Sequence, residues 1–473
     1  MLLFLQTLPL LVLVLLLASG RVGPVLACTA AMLLTLPPLL AAHPELGATG
    51  LLGYAADSVL EGLWLAVIPV GIIAGGLVFH AAVAPPDNRA FGTANQADTL
   101  FTAAFLLGPF TETVTGFGVG TVFAIGLIRS AGVAGVPAAL IGLLPQLIIP
   151  WGGLGPGTAV GAALAGVPPQ ELAARTAWQA GAMLLLLLPA FWHWCRLGGH
   201  PVPAGQRATQ TLWVLATAAL LVVMHHVAPW EVCGLLATGL ALSARLLHAH
   251  PPRNAADCRR AAAAAFPYAL LAGVLLASRL WRHPPSFHPF AHLPALPANH
   301  AMVALWLVAL ALLARHHAAA IPGLLAGAAR RGRKPAVALL MFVLLSRVLS
   351  NAGIPQALAL AISAGFGAAA PYAGPLLAGF AGFFAGTNVG ANSAMMPLQA
   401  ALGQMAGLGR LVLPAVQNGT PFLLLSPQLT SIAAALAGRS ASGQEATPAR
   451  IWRLGWPIAL AALAVGMAAI ALG

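Results

Sequence analysis

Residues 108–126 read GPFTETVTGFGVGTVFAIG: one carboxylate, Glu112, four threonines and, after the opening Gly-Pro, four glycines. Residues 386–394 read GTNVGANSA, a run of small residues, amides and hydroxyls without charge. At the start of a half-helix the N–H groups have no intrahelical partner, and together with the positive end of the dipole they hold a carboxylate without a buried cation. Thr111, Thr113, Thr115, Gly116 and Gly118 in the first stretch and Thr387, Asn388, Asn392 and Ser393 in the second are the candidate substrate-binding residues. Asn418, Thr420, Ser426 and Gln428 join them from a later segment, with Gln146, Thr158, Gln417 also at hand. The pocket this implies is polar, rich in donors and nearly uncharged, and it fits a small organic anion.

Glu112 is the acid inside these regions, since Asp98 lies at the outer boundary of the first. A carboxyl group withdrawn from water can gain and lose a proton during a transport cycle, and ionisable groups inside membranes default to function. Alternatively, Glu112 is a structural acid bonded to free N–H groups of its own tip. Arg347, in PAVALLMFVLLSRVLSNAGIP, either faces the cavity and pairs with a substrate carboxylate or with Glu112, or snorkels to an interface. Arg129 and Arg410, each just after a hairpin arm, read as interface anchors.

The elements that must position these residues lie in lipid. Sixty per cent of the 473 residues are hydrophobic, 7% are charged, and the mean hydropathy is +0.89. Apolar runs of about 18 residues or more mark bilayer spans, and the sequence predicts an all-α polytopic membrane protein with about 11–14 membrane segments. The first run, 1–19, has neither a basic flank nor a clear cleavage site and reads as an uncleaved span. Two regions share one plan. Each has an arm, a polar glycine-rich tip and a second arm, then a long apolar segment interrupted by Pro, Gly and hydroxyl residues that ends in AALAG. The first occupies 1–197, with a hairpin near 98–130 and a broken helix near 136–166; the second core occupies 335–473, with a hairpin near 371–408 and a broken helix near 411–438. Residues 198–334 read as linking spans and scaffold. Irregular backbone at membrane depth survives only when buried in protein or lining a wet cavity, and paired interruptions in two halves point to a transporter's binding site. Close-packing glycines are the competing explanation, but they need no Thr and Asn beside them.

Composition also excludes. The net charge of +12 comes from arginines spread over connections between spans, so it reports orientation and not nucleic-acid binding. The connections 195–207, 245–260 and 315–334 are placed on the cytoplasmic side. Four cysteines without CxxC spacing indicate neither a disulfide framework nor a metal site, and the pairs His225–His226 and His316–His317 are read as interfacial. No metal and no cofactor is expected beyond a coupling ion, a proton or Na⁺. The expected partners are the bilayer and a small organic anion, and a homodimer is compatible with the sequence.

The two cores resemble those of the bacterial L-lactate permease family. Its first-half motif is of the type Leu-Glu-Gly-Ala-Ala-Gly-Phe-Gly, and Glu112, Gly116, Phe117 and Gly118 stand at matching places. Its second tip, of the type Thr-Gly-Ser-Asp-Thr-Ser-Ser-Asn-Ala followed by Leu-Gln, is matched by Gly386, Thr387, Asn392, Leu398 and Gln399. Ser426, Pro427 and Gln428 match a later Ser-Pro-Gln, with Asn418 upstream, and the stretch from Glu61 resembles an early span. Asn388 replaces the family's tip aspartate, Thr111 a leucine and Gly120 a proline, and the segment around 150–157 is shorter. The resemblance implies a divergent member of an ion-transporter superfamily with two inverted repeats, each with a re-entrant hairpin and a broken helix. It further implies proton-coupled symport of lactate or glycolate by alternating access in the bacterial inner membrane. Sodium-coupled transport of a dicarboxylate or other anion is the alternative. A polytopic membrane enzyme is disfavoured, because the ten acidic residues are scattered and form no catalytic cluster.

Overall fold

The computed structural model describes residues 2–19, 21–42, 44–45, 47–83, 95–116, 118–316, 318–419, 421–440 and 443–473. Among the described residues ten helices are long and apolar enough to cross a membrane, or eleven if one bent pair counts as a single span. The chain is an all-α polytopic membrane protein. Its described strands are two-residue segments, Ser286–Phe287 paired antiparallel with Leu296–Pro297. The span count meets the lower edge of the expected range because several apolar helices are partial. Val119–Ser130 and Pro156–Ala165 have 12 and 10 residues. At ~1.5 Å per residue they traverse only part of a ~30 Å hydrocarbon core.

The first hairpin descends through Gln96–Phe101, a wide π-helical stretch at Thr102–Leu107 and Gly108–Thr115, then returns through Val119–Ser130. Gly116 and Gly118 turn the tip with φ of +69° and +81°, a region that side chains with a Cβ avoid. The arms touch at glycines. A methyl group on Gly120 would stand 2.4 Å from the Gly108 carbonyl oxygen and 2.8 Å from Glu112 Cβ. The second hairpin is built likewise from Ala373–Ala385 and Asn388–Met405 around Gly386.

Each hairpin is followed by an interrupted span. The first comprises Val136–Leu143, a tight turn over Leu144–Leu154 and Pro156–Ala165. Within its break Leu154 has φ of 64°, the one positive-φ non-glycine residue among the described residues, between Gly153 and Gly155. The second comprises Val412–Gly419, Pro421–Leu425 and Pro427–Ala437, with a bend of 41° before the last piece.

The two hairpins open toward opposite ends of the bundle. At one end the Gly135 amide donates to the Ala437 carbonyl (3.1 Å) and Arg129 Nη1 to the Leu436 carbonyl (3.0 Å). At the other, the connection 166–168 after the first broken span meets the connection 408–411 after the second hairpin. Residues Pro169–Leu197 run between these ends and return to the first, where Gly198 packs on Val133.

Alongside this core stand Ala48–Ala82, Ala301–Leu313 and Ile321–Asn351, fitted together where Gly62 meets Leu344, Gly71 meets Met302 and Gly332 meets Leu77. Without a hydrophobic drive between helices in lipid, such close approach supplies the packing energy. Ile321–Asn351 runs unbroken through positions 334 and 335, with Pro335 inside the helix. The basic run 330–334 is rich in strong helix formers, and these carry the helix across a proline that normally costs about 3 kcal/mol.

The hairpin contact generates a prediction. Gly120→Ala should lower the melting temperature in detergent and the yield of monodisperse protein. Gly273→Ala, with nothing within 4 Å of the added methyl, should leave both unchanged. Equal melting temperatures would show that the two arms are not held at this glycine.

Candidate functional site

Glu112 lies on the tip-ward end of the first descending arm and is fully buried. Its side chain folds back over its own tip, where Oε1 accepts from the Gly118 amide (3.2 Å) and Oε2 from the Gly120 amide (2.9 Å). These are the free donors that begin Val119–Ser130, so the carboxylate occupies the anion cradle formed by that half-helix. The threonines around it turn inward to their own helix. Thr111 donates to the Leu107 and Gly108 carbonyls, Thr113 to Phe110 and Thr115 to Thr111. Thr113 Oγ1 also lies 3.3 Å from Thr238 Oγ1. Back-bonding of this kind satisfies hydroxyls in apolar surroundings, and it leaves these three with less to offer a ligand than the sequence reading expected.

The second tip belongs to a buried amide network. Thr387 caps Asn388–Met405 by accepting from the Gly390 amide (3.0 Å). Asn388 Nδ2 donates to the Asn418 carbonyl (2.8 Å), and Asn418 Nδ2 to Thr176 Oγ1 (3.1 Å). Asn392 Nδ2 lies 2.9 Å from the Gly157 carbonyl, 2.9 Å from Asn418 Oδ1 and 3.2 Å from Asn388 Oδ1. Thr158 Oγ1 reaches the Pro150 carbonyl (2.6 Å) across the first break and Asn418 Oδ1 (3.1 Å) in the second broken span. Gln399, Gln417 and the Ala391 carbonyl extend the network along the hairpin.

The tips converge on both breaks. A Cβ on Gly116 would lie 3.0 Å from the Gly153 amide, and one on Gly157 would collide with Asn388 Oδ1, so the first break touches both tips. The start of Pro427–Ala437 does the same, with Gly386 against Gln428 and Gly118 against Leu429. Ser426 caps that helix by accepting from the Leu429 amide (3.3 Å). Of the candidate residues, Asn388, Asn392 and Asn418 hydrogen-bond to one another, Gln428 packs on Gly386, and Ser393 Oγ is buried with no hydrogen-bond partner among the described residues. Thr420 and Phe117 lie outside the described residues.

With this geometry in view, the comparisons with known proteins fall into place. Residues 295–454 match the family model described as L-lactate permease. The resemblance to the L-lactate permease family stands. The matched segment, about a third of the chain, contains the second tip, Asn418 and Ser426–Gln428, whereas Glu112 and the first tip precede it. A solved structure of the Alcanivorax borkumensis YdaH transporter is similar at 14% identity and a TM-score of 0.48, covering 95% of this chain and 98% of that one. No curated protein matches the chain.

Away from the two tips, Arg347 forms an ion pair with Glu61, which also accepts from Asn351 Nδ2 (3.1 Å) and lies 2.8 Å from His292 Nε2. Glu61 is 8% exposed. Two further ion pairs, Asp98–Arg245 (3.2 Å) and Glu231–Arg279, each set one buried member against a half-buried or exposed one. Sequence reasoning missed all three, although a charged residue inside an apolar run is itself a sign that a partner exists. His225 is 7% exposed and takes a hydrogen bond from Trp151 Nε1 at its Nε2 (3.2 Å), beside the first break. Among the described residues no group of three or more His, Cys, Asp or Glu could hold a metal ion.

Removing one member of a buried ion pair strands the other, which typically costs about 3–5 kcal/mol, whereas removing both costs far less. Glu61→Ala and Arg347→Ala should therefore each destabilise strongly, and the double variant should be more stable than the sum of the two losses. Strict additivity of the melting-temperature changes would show that the pair is not coupled.

Proposed function

We propose that the protein is a secondary active transporter that carries a small monocarboxylate, such as lactate or glycolate, together with protons across a bacterial cytoplasmic membrane. One observation carries this reading: two facing breaks in the spans converge, inside the bilayer, on uncharged hydrogen-bond donors and on one carboxylate that holds the tip amides. The L-lactate permease match over 295–454 supports a permease and names the substrate class.

In this reading Glu112 couples proton to anion by competition. The ionised carboxylate takes the Gly118 and Gly120 amides for itself. A protonated carboxyl has no net charge and competes poorly, so the amides become free for the carboxylate of the substrate. Proton and anion then load and leave together, and the inverted halves exchange access from one side to the other.

A second reading, sodium coupling, has its own support. Asn392 Oδ1, Ser393 Oγ and Gln399 Oε1 are buried oxygens with no hydrogen-bond partner among the described residues. Oxygens of this kind suit a hard cation, and Asn388 stands where the family has an acid.

Uptake of labelled L-lactate into proteoliposomes should follow an imposed inward proton gradient. It should be equal in sodium and choline buffers at fixed pH. Glu112→Gln should abolish gradient-driven accumulation, by about tenfold or more if the proton-transfer role accounts for it. Gradient-driven accumulation at the wild-type level in that variant would remove Glu112 from the coupling. Uptake that needs sodium would favour the second reading.

A further inference from the structure

Where the connections 166–168 and 408–411 meet, the structure holds a cavity of about 370 Å³, within the range that binds small ligands. Its wall carries two guanidinium groups, Arg175 and Arg410, and the side-chain carboxylate of Glu171, with Gly473 packed beside Arg175 and Val412. Among the described residues neither arginine has a hydrogen-bond or ion-pair partner, and Glu171 pairs with neither. Arg245, Arg279, Arg347 and Arg439, by contrast, are paired with acids.

Two wall residues lie on helices that also carry the amide network. Arg175 is followed by Thr176, whose hydroxyl accepts from Asn418 Nδ2. Val412, on the cavity wall, begins the helix that ends beside Asn418, six residues or about 9 Å away. The duplicated sequence supplies a comparison. AALAG ends the first broken span at Gly166 and the second at Gly438. At Gly438 the hairpin arginine Arg129 donates to the Leu436 carbonyl. At Gly166 the corresponding hairpin arginine, Arg410, makes no such bond among the described residues and stands on the cavity wall. The two ends thus use the corresponding arginine differently. With the connection 195–207 on the cytoplasmic side, the span Pro169–Leu197 puts the Gly166 end on the opposite face.

We propose that this cavity is an anion-binding vestibule, in which Arg175 and Arg410 collect the carboxylate substrate at the non-cytoplasmic face before it reaches the amide network. The proposal deepens the reading of a carboxylate carrier and rests on it. Two like charges on a concave wall raise the local concentration of an anion and its rate of entry. A guanidinium also matches a carboxylate by two parallel hydrogen bonds. Glu171 on the same rim limits retention, so the anion moves on.

The test reads local potential without transport. In the full chain reconstituted in nanodiscs, Cys258→Ser removes the exposed thiol and Leu408→Cys places one on the cavity wall. The labelling rate with anionic sulfonatoethyl methanethiosulfonate is compared with that of the cationic trimethylammonioethyl reagent. Arg175→Gln with Arg410→Gln should lower the anionic-to-cationic ratio about tenfold or more, and the corresponding double Lys variant should retain it. Saturating L-lactate should slow anionic labelling only while the arginines are present. In proteoliposomes the double Gln variant should raise KM for L-lactate more than it lowers kcat. An unchanged ratio and unchanged protection would overturn the vestibule even with uptake intact. L-lactate protection that depends on the arginines, in a protein that takes up no lactate, would uphold the vestibule and overturn the carrier reading instead.

Discussion

A backbone amide in hydrocarbon has no water to bond with, and this one constraint organises the protein. A regular helix meets it residue by residue, and the long spans do so. At the two tips and the two breaks the ladder stops, and other groups must take its place. They differ between the halves. In the first, an acid from the same hairpin turns back onto the amides of its own tip. In the second, asparagine and threonine side chains from separate segments do the work, and they reach across to the first break. The two halves share a chain plan but satisfy the constraint with different chemistry, one ionisable and the other neutral.

That difference matters for what the site can do. An ionisable group on the amides makes their availability depend on protonation. Neutral amides cannot be switched in this way, and the second tip therefore supplies steady polarity. Three oxygens stand within 3.2 Å of Asn392 Nδ2 against its two protons, so acceptors outnumber donors around this amide.

Much of this was legible in the residues themselves. Gly, Pro and hydroxyl residues inside apolar runs betray an interruption, because a lipid-facing helix has no use for them. The six- and eight-residue spacings from Glu112 to Gly118 and Gly120 are short enough to be read as a loop closing on itself. What stayed hidden was long-range or directional. Arg347 meets Glu61 from 286 positions away, and nothing periodic links them. The hydroxyls of Thr111 and Thr115 look available in a string of letters, yet a helix lets them bond one turn back. Residues 330–334 look like a loop by charge, and yet their helical propensity is high.

Leu154 shows how such a break comes about. A left-handed conformation at a leucine costs roughly 1–2 kcal/mol, and Pro150, Gly153 and Gly155 loosen the local chain without selecting that particular shape. The shape is held instead by neighbours far along the chain: the first tip behind Gly153, the Trp230 ring against Gly155 and Asn418 beside Thr158. The first tip precedes residues 136–165 in the chain, whereas Trp230 and Asn418 follow them. The kink is thus held from both sides along the sequence, and its shape belongs to the assembled fold and not to the segment itself.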